Sequence, residues 1–160
     1  MKKVALIIFS LVFFVNVAYA LSYQPPDNFR GIKWGTHVEA LSDMVVVDPG
    51  DSVGMFKRQN DPLHLGKAEV QSVFYAFYRG QFYAAYVTFK NPANFAEIKN
   101  ALVQNYGNPA QTDPVNAKHV WGDHEKVSIT LDYRERQQQG SLIYLYKPLS
   151  DQEEKDNSNQ

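Results

Sequence analysis

The sequence predicts a single α+β domain, an antiparallel sheet of about five or six strands with one main helix packed on one face. Three observations predict it. Residues 73–89, V-F-Y-A-F-Y-R-G-Q-F-Y-A-A-Y-V-T-F, are two aromatic runs about an Arg-Gly centre, which reads as a β-hairpin. Residues 94–106 place Phe95, Ile98, Leu102 and Tyr106 on one helical face, and Gly107 and Pro109 end the helix. Beyond it, Val127, Ile129, Leu131 and Tyr133 alternate with Lys126, Ser128, Thr130 and Asp132, which gives a strand with one wet face. A final strand at 141–147 completes a meander. The order hairpin, helix, meander uses short connections, and these make the sheet antiparallel.

The remaining elements follow in chain order. Met1-Lys2-Lys3, the apolar run 4–15 and Ala18-Tyr19-Ala20 read as a secretory signal peptide cut after Ala20. The run is too short for a comfortable transmembrane span, so no membrane span is expected after cleavage. The chain from 21 is then expected in the periplasm or secreted. Residues 29–34 read as a short extended piece. Thr36 followed by Glu39 is a capping-box pattern for a helix over about 37–42. Met44-Val45-Val46-Val47 is a β-branched run, hence a strand, stopped by the turn Asp48-Pro49-Gly50-Asp51. Residues 51–66, with Gly54, Pro62 and Gly66, read as irregular. The hairpin strands fall near 68–78 and 81–90. Residues 151–160, D-Q-E-E-K-D-N-S-N-Q, lack any large apolar residue and read as a disordered acidic tail behind one domain, 21–150.

Composition restricts the function classes. The chain contains no cysteine, which excludes disulfides, thiolate metal sites and a lipid-bearing cysteine at the leader cut. Leader removal leaves 14 basic and 17 acidic residues, and the tail alone carries four acids against one lysine. The body from 21 to 150 is therefore neutral. A nucleic-acid partner needs a basic stripe to displace counterions from phosphate, so none is expected. No nucleophile elbow, zinc-protease helix, Walker loop or dinucleotide glycine pattern occurs, and neither an enzymatic role nor a cofactor is expected. The Asp48–Gly54 stretch fails as a calcium loop, because Gly50 and Val53 stand where a ligand and the turn glycine belong. His119 and His124 flank Trp121 beside Asp123 and Glu125. A tight hairpin there could bring the two imidazoles and a carboxylate together as a metal site.

The hairpin raises the main question. Eight of its seventeen residues are aromatic, and they fall on both sides of the ribbon. A two-residue turn at 79–80 pairs Phe77 with Phe82, Tyr75 with Ala84 and Val73 with Tyr86 on one face. It places Val70, Phe74, Val87 and Phe89 on the other. The second set is the better core under the helix. The first set is richer in tyrosine, whose polar end suits an interface. Tyr75, Phe77, Phe82 and Tyr86 are therefore the candidate binding face, unless Phe29, Ile32, Trp34, Leu41 and Met44 of the entry segment fold back over it.

The stretch F-R-G-I-K-W-G-T-H-V-E-A-L, residues 29–41, resembles the opening of small exported bacterial proteins with an F-x-G-I-x-W-G-T start. Its I-x-x-G-T-x-x-E-x-L core is similar to the entry of SmpA/OmlA-type envelope domains and to the repeat of β-lactamase-inhibitor-type proteins. Helix 94–106 followed by Y-G-N-P and Val120-Trp121 resembles their helix, exit and following strand. The resemblance implies a non-enzymatic interaction module of the bacterial cell envelope, with another envelope protein or a second copy as partner. Two other readings are a small metal- or ligand-binding periplasmic protein and an enzyme without a recognisable motif.

Overall fold

A computed structural model describes residues 23–159. The expected leader, its cut after Ala20, and Gln160 lie outside the described residues. The chain is mostly β, 44% strand against 24% helix, which corrects the expected α+β class. Its elements are β1 (Asn28–Phe29), β2 (Ile32–Lys33), a 3-10 turn (Val38–Ala40), β3 (Met44–Asp48), β4 (Val53–Arg58), β5 (His64–Leu65) and β6 (Ala68–Glu69). There follow β7 (Ser72–Tyr78), β8 (Gln81–Lys90), α1 (Pro92–Tyr106), β9 (Gln111–Asp113) and β10 (Lys118–Trp121). The last are β11 (Val127–Arg134), a 3-10 turn (Glu135–Gln137), β12 (Gln139–Tyr146) and α2 (Lys147–Ser158). Eight strands form one antiparallel sheet in the order β3-β4-β7-β8-β12-β11-β10-β9, with β1-β2 and β5-β6 as separate two-stranded sheets. Among the described residues no helix is long and apolar enough to cross a membrane.

Two strands hidden from the sequence reading enlarge the sheet. Residues 53–58 carry Gly54, a strand weakener, yet Gly54 pairs with Phe77 and is buried. Residues 111–113 add a three-residue edge to β10. The expected helix near 37–42 shrinks to one 3-10 turn, and His37 at its N-cap makes no side-chain cap. Its backbone is used elsewhere. Gly35 N–H donates to Phe82 O at 2.8 Å, Phe82 N–H to Thr36 O at 2.9 Å, and Val38 N–H to Gly80 O at 2.9 Å. The entry segment is stitched to the hairpin, so the chain there cannot close an α-helical ladder.

The β7–β8 hairpin turns through Arg79 (φ 47°) and Gly80 (φ 80°), two left-handed residues that match the twist of the flanking strands. Tyr78↔Gln81 and Phe77↔Phe82 pair as the turn predicts. The next pair is Ala76↔Ala84, so Tyr83 is an extra, bulged residue. Everything beyond is shifted by one: Tyr75↔Ala85, Phe74↔Tyr86, Val73↔Val87, Ser72↔Thr88. A shift of one residue on one strand exchanges the faces of its side chains.

The first face of the sheet carries the main core. Val73, Tyr75, Phe77, Phe82, Val87 and Phe89 join Ile129, Leu131 and Leu142 there, beneath Ile98 and Leu102 of α1. Asn91 caps α1 by accepting from Asn94 N–H at 2.9 Å, and Pro92 starts the helix. Gly140 lies over the Phe89 ring, where a Cβ would collide with that ring and with the Asp132 carbonyl.

Among the described residues the second face is covered only at one end. The acidic tail, expected to be disordered, is helical as far as Ser158. Leu149 anchors α2 on Ala76, Ala84, Tyr78 and Tyr83, and the two alanines let the helix approach the sheet. Tyr78 donates a hydrogen bond to Asp156, which also pairs with Arg79 at 3.0 Å. Carboxylates, which composition assigned to solvent, are the ligands that dock this helix.

Candidate functional site

Three of the four candidate binding residues are sealed in the main core. Tyr75 is 0% exposed, Phe77 1% and Phe82 0%, so they present no surface to a partner. The entry segment covers them. Trp34 stacks on Phe82 at 4.8 Å, Phe29 meets Tyr75 edge-on at 5.8 Å, and Phe56 of β4 meets Phe77 at 5.1 Å. Surplus apolar residues at 29–44 and surplus rings on the hairpin satisfy each other. The Tyr75 hydroxyl donates to Asp61 at 2.8 Å, and Asp61 pairs with Arg30 at 2.7 Å, which ties the entry segment to the 59–67 loop.

Tyr86 alone lands on the second face, because the bulge at Tyr83 switches its side. Phe74, expected in the core, stays on the face of β7 opposite to Tyr75 and Phe77, and it is the main core that lies on their face instead. The result is an apolar row running across the strands beyond the edge of α2. Val45 pairs with Lys57, Phe74 with Tyr86, Tyr86 with Ile143, and Ile143 with Thr130. Lys57 Nζ lies 4.8 Å from the Phe74 ring centroid, a cation–π contact that also closes the row between β4 and β7. Phe74, Tyr86 and Ile143 are each half-buried. The next row on this face, about 7 Å along the strands, is polar. Ser72 and Thr88 share a hydrogen bond at 2.6 Å, and Ser141 donates to Asp132 at 2.6 Å.

The strip opens at its far end into a cleft of about 840 Å³ between the 114–118 loop and the 134–137 turn. Thr130, Asp132 and Ile143 belong to both strip and cleft, and Lys118, Arg134 and Glu135 give the cleft charges of both signs. Burial, and then the Glu153 carboxylate of α2, push the Tyr86 phenol above its ordinary range. Tyr86 therefore remains a neutral hydrogen-bond donor at physiological pH. An apolar ridge beside a row of hydroxyls can bind an amphipathic segment laid across the strands.

The two histidines do not form a metal pair. His119 is buried, its ring stacked 6.0 Å from Phe95, with Nδ1 3.3 Å from Thr112 Oγ1. His124 stands in solvent on the turn after β10, 3.7 Å from Asp123. Among the described residues no group of three or more His, Asp or Glu side chains could hold a metal ion. Burial, and then the nearby Lys99, hold the His119 imidazole below its ordinary 6.5. The folded state thus binds fewer protons than the unfolded one. His119 supplies stability that is complete above pH 6.5 and is lost as pH falls from there through its depressed folded value. Urea midpoints are expected to drop between neutral pH and about pH 5, with a shallower drop in His119→Phe. Equal slopes for the two proteins would remove His119 from the account.

No family model, curated protein or solved structure matches this chain.

Proposed function

We propose that this protein is a non-enzymatic binding module of the bacterial cell envelope, exported by its N-terminal leader, which binds a protein partner across the open strip of the sheet. One observation carries the reading. Phe74, Tyr86 and Ile143 remain partly exposed in a continuous row, while Tyr75, Phe77 and Phe82 of the same hairpin are sealed. Half-wet aromatic residues beside satisfied polar groups are what interface centres are made of. The partner that fits presents an apolar ridge flanked by hydroxyl or amide groups.

Site-specific photocrosslinking in cells tests it. A photoreactive phenylalanine at Phe74, Tyr86 or Ile143 is expected to give one common adduct. The same probe at Val115, exposed on the loop bordering the cleft, gives none. The same adduct from every position, or none from the strip, would sink the proposal. The cleft supports a second reading, a small polar ligand held between Lys118, Arg134 and Asp132. Under it, Lys118→Ala and Arg134→Ala abolish binding while Phe74→Ser leaves it intact.

A further inference from the structure

Among the described residues the sheet has two open edges, and they differ in character. The β9 edge is three polar residues, Gln111–Asp113, closed off by Asp113, whose side chain accepts from the backbone N–H groups of Val115 and Asn116. That is the usual protection of an edge, short and charged. The β3 edge is the opposite. Val45, Val46 and Val47 are 45%, 54% and 50% exposed, in an edge strand with no lysine and no proline. Valine is strongly β-prone, so the segment is a template for another strand.

The ladder shows which backbone groups are free. Gln59 N–H donates to Asp43 O at 2.8 Å, which makes Asp43 and Gln59 a hydrogen-bonded pair. Hydrogen-bonded and non-hydrogen-bonded pairs alternate in an antiparallel ladder, so Val45, opposite Lys57, turns its groups inward. Met44 and Val46, opposite Arg58 and Phe56, turn their N–H and C=O groups outward. The β3–β4 register then shifts at Val47, which limits the usable edge to Met44–Val46.

We infer that β3 pairs antiparallel with β3 of a second copy of this chain, about a two-fold axis through Val45. This register matches Met44 of each copy with Val46 of the other and Val45 with itself. Every outward donor on one copy then meets an outward acceptor on the other. No like charges are opposed, since Asp43 is engaged by Arg58 and faces Val47 of the second copy. The paired sheet runs continuously through both copies, and the apolar rows that begin at Val45 meet at the axis. A contact this short falls below the roughly 1,200 Å² of a standard stable interface, so the dimer is weak and concentration-dependent. The interface uses the backbone edge of the sheet and the strip partner uses its face, with the Val45 side chain common to both.

Sedimentation of the purified protein from micromolar to millimolar concentration tests the pairing. Reversible dimerisation is expected. Val45→Lys sets two ammonium groups directly opposite each other at a surface position and is expected to weaken the dimer by about tenfold or more. Val45→Glu alone does the same, and an equimolar mixture of the two variants dimerises again. Val46→Pro removes an outward N–H without breaking a bond to β4 and is expected to be a folded monomer. A wild type that stays monomeric to millimolar concentration overturns the inference. So does a dimer indifferent to Val45→Lys, or a charge pair that fails to reassociate.

Discussion

Phe82→Ala is expected to destabilise the protein by about 3–5 kcal/mol. Phe82 is fully buried at the centre of the aromatic cluster, 4.8 Å from Trp34, 5.4 Å from Phe77 and 5.8 Å from Tyr75. Removing the ring loses its transfer free energy and leaves a cavity that neighbours cannot fill, because the backbone on both sides is pinned. Phe82 N–H and O are held by Thr36 and Gly35 of the entry segment. The loss is a large share of the roughly 5–15 kcal/mol that keeps a domain folded. Tyr86→Ala, on the half-open second face, is expected to cost far less. Chemical denaturation of both variants makes the comparison. If the two losses are equal, the division of the hairpin into a sealed and an open face is wrong.

Asp61→Ala is the second large effect. Asp61 accepts from Arg30 at 2.7 Å and from the Tyr75 hydroxyl at 2.8 Å, and all three side chains are largely shielded. Truncating the carboxylate strands a guanidinium in a protein environment and leaves a buried hydroxyl without its acceptor. Breaking a buried pair from one side costs about 3–5 kcal/mol. Here Arg30 keeps bonds to the carbonyls of Pro62 and His64, so the lower end, about 3 kcal/mol, is expected. Because Arg30 sits in the turn between β1 and β2, the entry segment should loosen first. Amide exchange is expected to accelerate at Phe29, Ile32 and Trp34 before it changes in β11 and β12. Uniform acceleration across the sheet would mean that the triad does not pin the cover. Tyr75→Phe removes only the hydroxyl and should show a smaller loss.

Local signals in the sequence were read correctly at three places and misread at the Thr36–Glu39 capping pattern, whose backbone is taken by the hairpin. The Arg79-Gly80 turn, the amphipathic face of α1 and the alternation of β11 each follow from backbone preference or periodicity within one element. The site was legible only at Tyr86. Its neighbours Phe74 and Ile143 were missed because a bulge at Tyr83 decides which β8 side chains join the main core, and nothing in Y-A-A-Y marks which residue will be the extra one. The two small residues after Tyr83 tolerate either register. Gly54 and the polar run Gln111–Asp113 gave no strand signal, since partners supplied by β7 and β10 make them strands.

By itself the sequence determined that the chain is neutral over its body, free of cysteine, and built on an aromatic hairpin, a helix and a meander. Those properties depend on composition and on contacts a few residues apart. Tertiary structure alone decided which aromatic face is sealed, that the acidic tail docks as a helix, and that β3 forms an apolar edge. The first two rest on contacts between residues far apart in the chain, Trp34 on Phe82 and Asp156 on Tyr78, and the third on β4 pairing with β7 on its inner side, which leaves β3 at the edge among the described residues. Burial of such surfaces is non-directional and follows whatever the fold brings together, so no local pattern records it in advance.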